Sequence, residues 1–138
     1  MTKLYKKKKI PRKEPELLIQ IDIVEMLKKR LKRGVLYTAF PAGGGGRVRG
    51  AKLKKAGLMA GWPDIQLVYK GQYYGLEVKT PVGRLSPAQV DLHKKLIKDG
   101  CSIAVVRSVS EAEEIILDWG LSRKHKSNVE SGGSASIT

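Results

Sequence analysis

Residues 61–79 read Gly61-Trp62-Pro63-Asp64-Ile65-Gln66-Leu67-Val68-Tyr69-Lys70-Gly71-Gln72-Tyr73-Tyr74-Gly75-Leu76-Glu77-Val78-Lys79. This run spells a β-hairpin. Ile65 to Tyr69 is rich in β-formers, Lys70-Gly71 supplies a two-residue turn, and Gln72 to Lys79 runs back as the second strand. Side chains alternate across a strand, so Glu77 and Lys79 share one face while Leu76 and Val78 share the other. The hairpin also returns Asp64, at the mouth of the first strand, to the side of Glu77. Two carboxylates and an ammonium are thereby expected in one small volume.

That grouping has a chemical use. Mg²⁺ takes hard oxygen ligands and keeps several waters, so Asp64, Glu77 and the backbone carbonyl of Val78 suffice for an open site. An ion held there lowers the pKa of water and offsets charge on a phosphate under attack. Lys79 is placed to orient or deprotonate the attacking water. The competing reading is a plain ion pair between Glu77 and Lys79 on an exposed strand, where both residue types are common.

Pro63-Asp64 followed at a hairpin's distance by Glu77-Val78-Lys79 matches the PD-(D/E)XK nuclease signature. The wider run Gly-Trp-Pro-Asp, Tyr-Tyr-Gly-Leu-Glu-Val-Lys-Thr and Gly-Arg-Leu-Ser-Pro-Ala-Gln resembles the VRR-NUC family within that superfamily, over roughly residues 16–119. The resemblance implies a restriction-endonuclease-like α/β domain with an αβββαβ core. It also implies a divalent-metal nuclease using Mg²⁺, with Mn²⁺ as a substitute. Small stand-alone members are phage and bacterial proteins that cut branched DNA, including four-way (Holliday) junctions, as homodimers. In this family a first-helix glutamate completes the metal site, and Glu16 is the matching position. A glutamine beyond the strand lysine enters the site in related nucleases, and Gln89 is its counterpart here.

Bulk properties point the same way. The chain has 138 residues, enough for one core. Its net charge is +14, which favours a polyanionic partner. The charge is uneven: residues 1–55 hold 17 Lys and Arg against 4 Asp and Glu, while residues 56–119 hold 7 against 8. The first part supplies the positive field and the second the chemistry. A lone cysteine, Cys101, excludes an intrachain disulfide, and no Cys/His cluster suggests zinc. No run approaches the ~20 apolar residues of a membrane span, so a soluble, cytoplasmic protein is expected.

In chain order, residues 1–14 are expected to form a basic arm in which Lys6, Lys7, Lys8 and Lys9 either lie along phosphates or serve as a solubilising tail. The nuclease-like domain is expected over 15–119, and a polar tail over 120–138. Pro15 suits the first turn of a helix expected to run to about Arg33 and stop before Gly34. Glu16, Gln20, Ile23, Leu27 and Leu31 share one stripe of it, though an acid in a first turn also simply suits the helix dipole. The stretch Leu17 to Leu27 looks too apolar for a helix exposed on a broad side. Val35 to Phe40 reads as a strand. Four glycines at 43–46 then predict a loop carrying Arg47 and Arg49 toward phosphate, with Lys52, Lys54 and Lys55 on a following helical turn. It lacks the Gly-Lys-Ser/Thr of a nucleotide-binding loop.

Ser86-Pro87-Ala88-Gln89 opens another helix through a capping box. Here Gln89 faces two demands, closing the box or entering the site, that a single side chain is expected to meet only in part. His93, one turn on along the same face, could contact phosphate, but reads chiefly as a partly exposed helical residue without function. Ser102 to Val106 has the continuous apolar character of a buried strand. Ser110-Glu111-Ala112-Glu113 reads as a second capping box, opening a helix to about Trp119. A central mixed sheet flanked by helices satisfies this order. Two other functions remain compatible: a non-catalytic nucleic-acid-binding protein, and a nuclease acting on flaps, single strands or restriction-type sites.

Overall fold

The computed structural model describes residues 14–40 and 46–123. The basic arm at Lys6–Lys9, the glycines before Gly46 and the tail from residue 124 lie outside them. The elements are α1 (Pro15–Arg30), β1 (Leu36–Ala39), α2 (Gly46–Lys55), β2 (Ile65–Tyr69), β3 (Gln72–Val78), α3 (Pro87–Lys98), β4 (Ser102–Val106) and α4 (Val109–Asp118). The sheet order is β1-β2-β3-β4, with β1/β2 and β2/β3 antiparallel and β3/β4 parallel. The parallel step uses α3 as its crossover. This is the expected α/β architecture, a mixed four-stranded sheet flanked by helices.

The hairpin forms as its residues dictate. Tyr69 pairs with Gln72, and Lys70 and Gly71 have φ of 49° and 79°, the two positive values that a tight turn matched to strand twist requires. Pairing of Ile65 with Leu76 sets the register, and one step further Asp64 stands across from Glu77. Gly75 allows the close approach of Pro63: a Cβ there would lie 2.6 Å from the proline ring. Trp62 meets Tyr73 edge-on at 6.0 Å.

One face of the sheet carries the core. Ile65, Leu67, Leu76, Val78 and Val106 pack there against Ile23 and Leu27 of α1 and Ile116 of α4, all at most 1% exposed. Burying each such side chain stabilises the fold by about 1.5–3 kcal/mol. The stripe expected on α1 is correct in its core positions, since Ile23, Leu27 and Leu31 are buried. The rest of the apolar run is not enclosed: Leu18 and Ile21 stay 42% and 40% exposed.

Several local expectations need correction. Helix α1 ends at Arg30 rather than Arg33, because Leu31 turns extended to bridge Ser122 and the Lys32 amide donates to the Leu121 carbonyl. That pairing also carries the packed domain past Trp119. Leu121 is fully buried and Arg123 Nε donates to the Leu31 carbonyl, so residues 120–123 are no tail. Arg47 and Arg49 lie within helix α2, not in a loop. The cap of α4 is Ser108, whose hydroxyl accepts from the Glu111 amide at 3.1 Å, and not Ser110. Strand β4 is an edge strand with only Val106 buried. Among the described residues, no helix is long and apolar enough to cross a membrane.

Candidate active site

The other face of the same strand carries the chemistry. Glu77 is 1% exposed and Lys79 9%, on a strand whose neighbours Leu76 and Val78 are equally enclosed. Charge at those positions needs partners, because desolvation strongly disfavours an isolated ion. The structure supplies them from three segments.

Asp64 comes from the entrance of β2. Its Oδ2 accepts from the Val78 amide at 2.7 Å, which fixes it beside Glu77. The N–H and C=O of one strand residue project to the same side, so the Val78 carbonyl also leaves the strand toward Asp64. Glu16 comes from the first turn of α1, its Oε1 3.9 Å from Lys79 Nζ. Its charge also reaches Glu77.

Helix α3 contributes the remaining two groups. Gln89 Nε2 donates to Glu77 Oε2 at 3.2 Å. The same side chain closes the capping box: its Oε1 accepts from the Ser86 amide at 2.8 Å, while the Gln89 amide donates to Ser86 Oγ at 3.2 Å. The expected conflict at Gln89 therefore does not arise. The two ends of the amide serve the two tasks, and the cap becomes the device that aims the amide at Glu77. Four residues on, His93 is 6% exposed, with Nε2 3.3 Å from Glu77 Oε1. Reading it as a partly exposed helical residue is incorrect. Its i+4 spacing from Gln89 was the available signal; only tertiary placement shows that this face of α3 covers Glu77. Gly61 permits that placement, since its φ of 102° and missing side chain let the chain pass Ala88 O, 2.5 Å from where a Cβ would sit.

These surroundings perturb two groups. Burial, followed by the hydrogen bond and charge of Asp64, pushes the Glu77 carboxyl up to about 9. Burial lowers the pKa of His93, opposed by hydrogen bonding to the Gly61 backbone and by the Asp64 charge. Glu77 Oε1 and His93 Nε2 are both buried and lack a hydrogen-bond partner. Strongly shifted carboxyls of this kind concentrate at functional sites.

The donor set can be tested against a divalent ion. Among the described residues, no group of three or more His, Cys, Asp and Glu side chains is gathered as a metal site. Two carboxylates and a strand-edge carbonyl remain, with one Glu77 oxygen unpartnered. Such hard oxygens, few in number, suit Mg²⁺, which keeps most of its water. The residues fit a hard, oxygen-seeking divalent ion of this kind. The structure thus brings Asp64, Glu77, Lys79, Gln89 and Glu16 together. Of the expected nucleic-acid contacts, Lys52, Lys54 and Lys55 lie on exposed α2. Lys6 to Lys9 fall outside the described residues.

No protein-family model matches the chain, and no curated protein does either. Solved structures do. One described as a VRR_NUC domain protein superposes with a TM-score of 0.61 at 20% identity, covering 79% of this chain and 96% of its own. Another, described as a VRR_NUC domain, gives 0.53 at 22% identity, covering 75% and 96%. The chain therefore has the fold of the VRR_NUC domain, spanning nearly the full length of both.

Proposed function

We propose that this chain is a divalent-metal-dependent nuclease that hydrolyses DNA phosphodiesters, using Mg²⁺ with Mn²⁺ as a substitute. The observation that carries this reading is the placement of Asp64 and the buried Glu77 side by side, with Lys79 on the same face of the sheet. The shared VRR_NUC fold supports it, as does the net charge of +14.

Asp64, Glu77 and the Val78 carbonyl would hold the ion, and Gln89 would hold Glu77 in the orientation that presents Oε1. When bound, the ion neutralises charge developing on the phosphate and makes water acidic enough to attack at neutral pH. Lys79 has the reach to hold that water or the attacked phosphate oxygen. Glu16, 3.9 Å away, keeps the lysine directed inward. The exposed lysines of α2 and the basic arm would engage flanking phosphates, giving salt-sensitive affinity without sequence choice.

The substrate proposed is branched DNA, four-way junctions in particular, cut by a homodimer whose two symmetric sites nick two strands. Support for that finer reading is the resemblance of the motifs to small stand-alone nucleases.

The test presents labelled four-way junctions, flaps, single strands and linear duplex with Mg²⁺, Mn²⁺ or chelator. Metal-dependent cutting strongest on the junction is expected, and Asp64→Ala and Lys79→Ala should bind DNA without cutting it. Preference for flaps or single strands would replace the junction reading alone. Binding that is indifferent to metal, with no cleavage of any substrate, would leave a nucleic-acid-binding protein instead.

A further inference from the structure

The last paired positions of β3 and β4 are Val78 and Val106, and the Lys79 amide donates to the Val106 carbonyl at 3.0 Å. One step further, Arg107 stands beside Lys79. Its Nη1 donates at 2.6 Å to the Thr80 carbonyl and at 2.6 Å to the Gly83 carbonyl. These are the two ends of the turn that follows the lysine, a turn also closed by the Gly83 amide donating to Thr80 O at 3.1 Å. Arg107 is itself anchored, since its amide donates to Glu111 Oε1 at 3.1 Å.

The turn matters because of what it touches. A Cβ at Gly83 would lie 3.0 Å from Thr80 Oγ1 and 3.4 Å from Glu16 Oε1. The missing side chain at Gly83 thus leaves the space beside the same carboxylate oxygen that stands 3.9 Å from Lys79 Nζ, so the turn lies next to Glu16 and an added Cβ would reach it. Glu16 depends on its neighbours for its place, because its side chain is 47% exposed and is otherwise free to turn toward water. Two features therefore meet in one turn: Arg107 holds both its ends, and its bare Gly83 lies beside the Glu16 carboxylate.

From this we infer that Arg107 is a positioning residue of the nuclease centre, holding the Thr80–Gly83 turn so that Glu16 is kept beside Lys79. The inference rests on the nuclease reading for its consequence in catalysis, though not for its geometry. One nitrogen of a rigid, planar guanidinium bridges the two carbonyls, and the ammonium of lysine, on a shorter and freely rotating stem, reproduces that only in part.

The experiment measures cleavage and NMR in parallel on the full chain, comparing wild type with Arg107→Ala, Arg107→Lys and Gly83→Ala, each alone and on Glu16→Gln. Arg107→Ala should lower kcat by about 10- to 100-fold with little change in KM, as misplacements near 1 Å do. Arg107→Lys should recover part of the loss. On Glu16→Gln, neither Arg107→Ala nor Gly83→Ala should cost anything further, because residues acting through one group are not additive. Additive losses would overturn the inference, as would a rise in KM alone, which would mark Arg107 as a direct phosphate ligand. In the NMR arm, Arg107→Ala should speed exchange of the Gly83 amide and move the Glu16 carboxyl carbon signal. An unmoved signal refutes the positioning role even if no DNA is cut. Should Arg107→Ala fail to fold, Arg107→Lys and Gly83→Ala carry both arms. A wild type that cuts nothing while the NMR changes occur would sink the nuclease reading and leave the geometry standing.

Discussion

Strand β3 has two enclosed sides with opposite contents. Leu76 and Val78 face α1 and α4 in an apolar core, while Glu77 and Lys79 face α3 and the first turn of α1; none is more than 9% exposed. Burial on the first side drives folding. On the second it opposes folding, and hydrogen bonds from Gln89 and the neighbouring charges only partly offset it. The difference teaches that one strand can separate stability from chemistry at alternate residues. Substitutions at adjacent positions, or three apart, should therefore have opposite signatures.

The largest effects belong to the charged side and appear in activity. Asp64→Ala or Lys79→Ala should lower the cleavage rate by at least about 10²–10³-fold, the scale of losing one group that stabilises transition-state charge. The melting temperature of Lys79→Ala should hold, whereas Asp64→Ala, which leaves the Val78 amide unpaired, should lose about 1–3 kcal/mol; gel assays alongside calorimetry would establish both.

The apolar side answers in stability. Leu76→Ala should destabilise the fold by about 2–5 kcal/mol through lost burial and the cavity left behind, read as a lower urea midpoint. Rates per folded molecule should change far less than with Asp64→Ala. A comparable catalytic loss would blur the distinction.

A third expectation concerns pH. With its carboxyl pushed up to about 9, Glu77 keeps its proton in the folded chain where the unfolded chain has lost it. Stability from this group is fully present below the ordinary carboxylate range and falls as pH rises toward about 9. The slope is on the order of 1 kcal/mol per pH unit in metal-free solution. Glu77→Gln should flatten it, as should a saturating divalent ion. Parallel slopes in wild type and Glu77→Gln between pH 5 and 8.5 would refute this.

The two helix caps give the smallest contrast. Ser86→Ala and Ser108→Ala should each cost about 0.5–2 kcal/mol. Only Ser86→Ala should also slow cleavage, because its box aims Gln89 at Glu77.

Much of this was legible from local rules. Lys70-Gly71 demanded a turn, alternation separated Leu76 from Glu77, and Ser86-Pro87 opened α3. The placement of Asp64 across from Glu77 followed from hairpin register alone. What escaped depends on contacts between distant segments. His93 is buried because α3 lies over Glu77, which its spacing from Gln89 signals only in part, and Arg107 matters because β4 ends beside Lys79, which has no local signature. The early end of α1 has the same origin, since the pairing of Leu31 with Ser122 overrides a sequence able to continue the helix. At Ser108 and Ser110, two serines spaced for capping stood close together, and only the turn out of β4 selects between them.

The most direct test is anomalous diffraction from crystals of the full chain soaked in Mn²⁺. A single peak within ligand distance of both Asp64 and Glu77, absent in Asp64→Ala, is the predicted result. A Mn²⁺ site elsewhere, with those carboxyl groups left without a metal, would contradict the account.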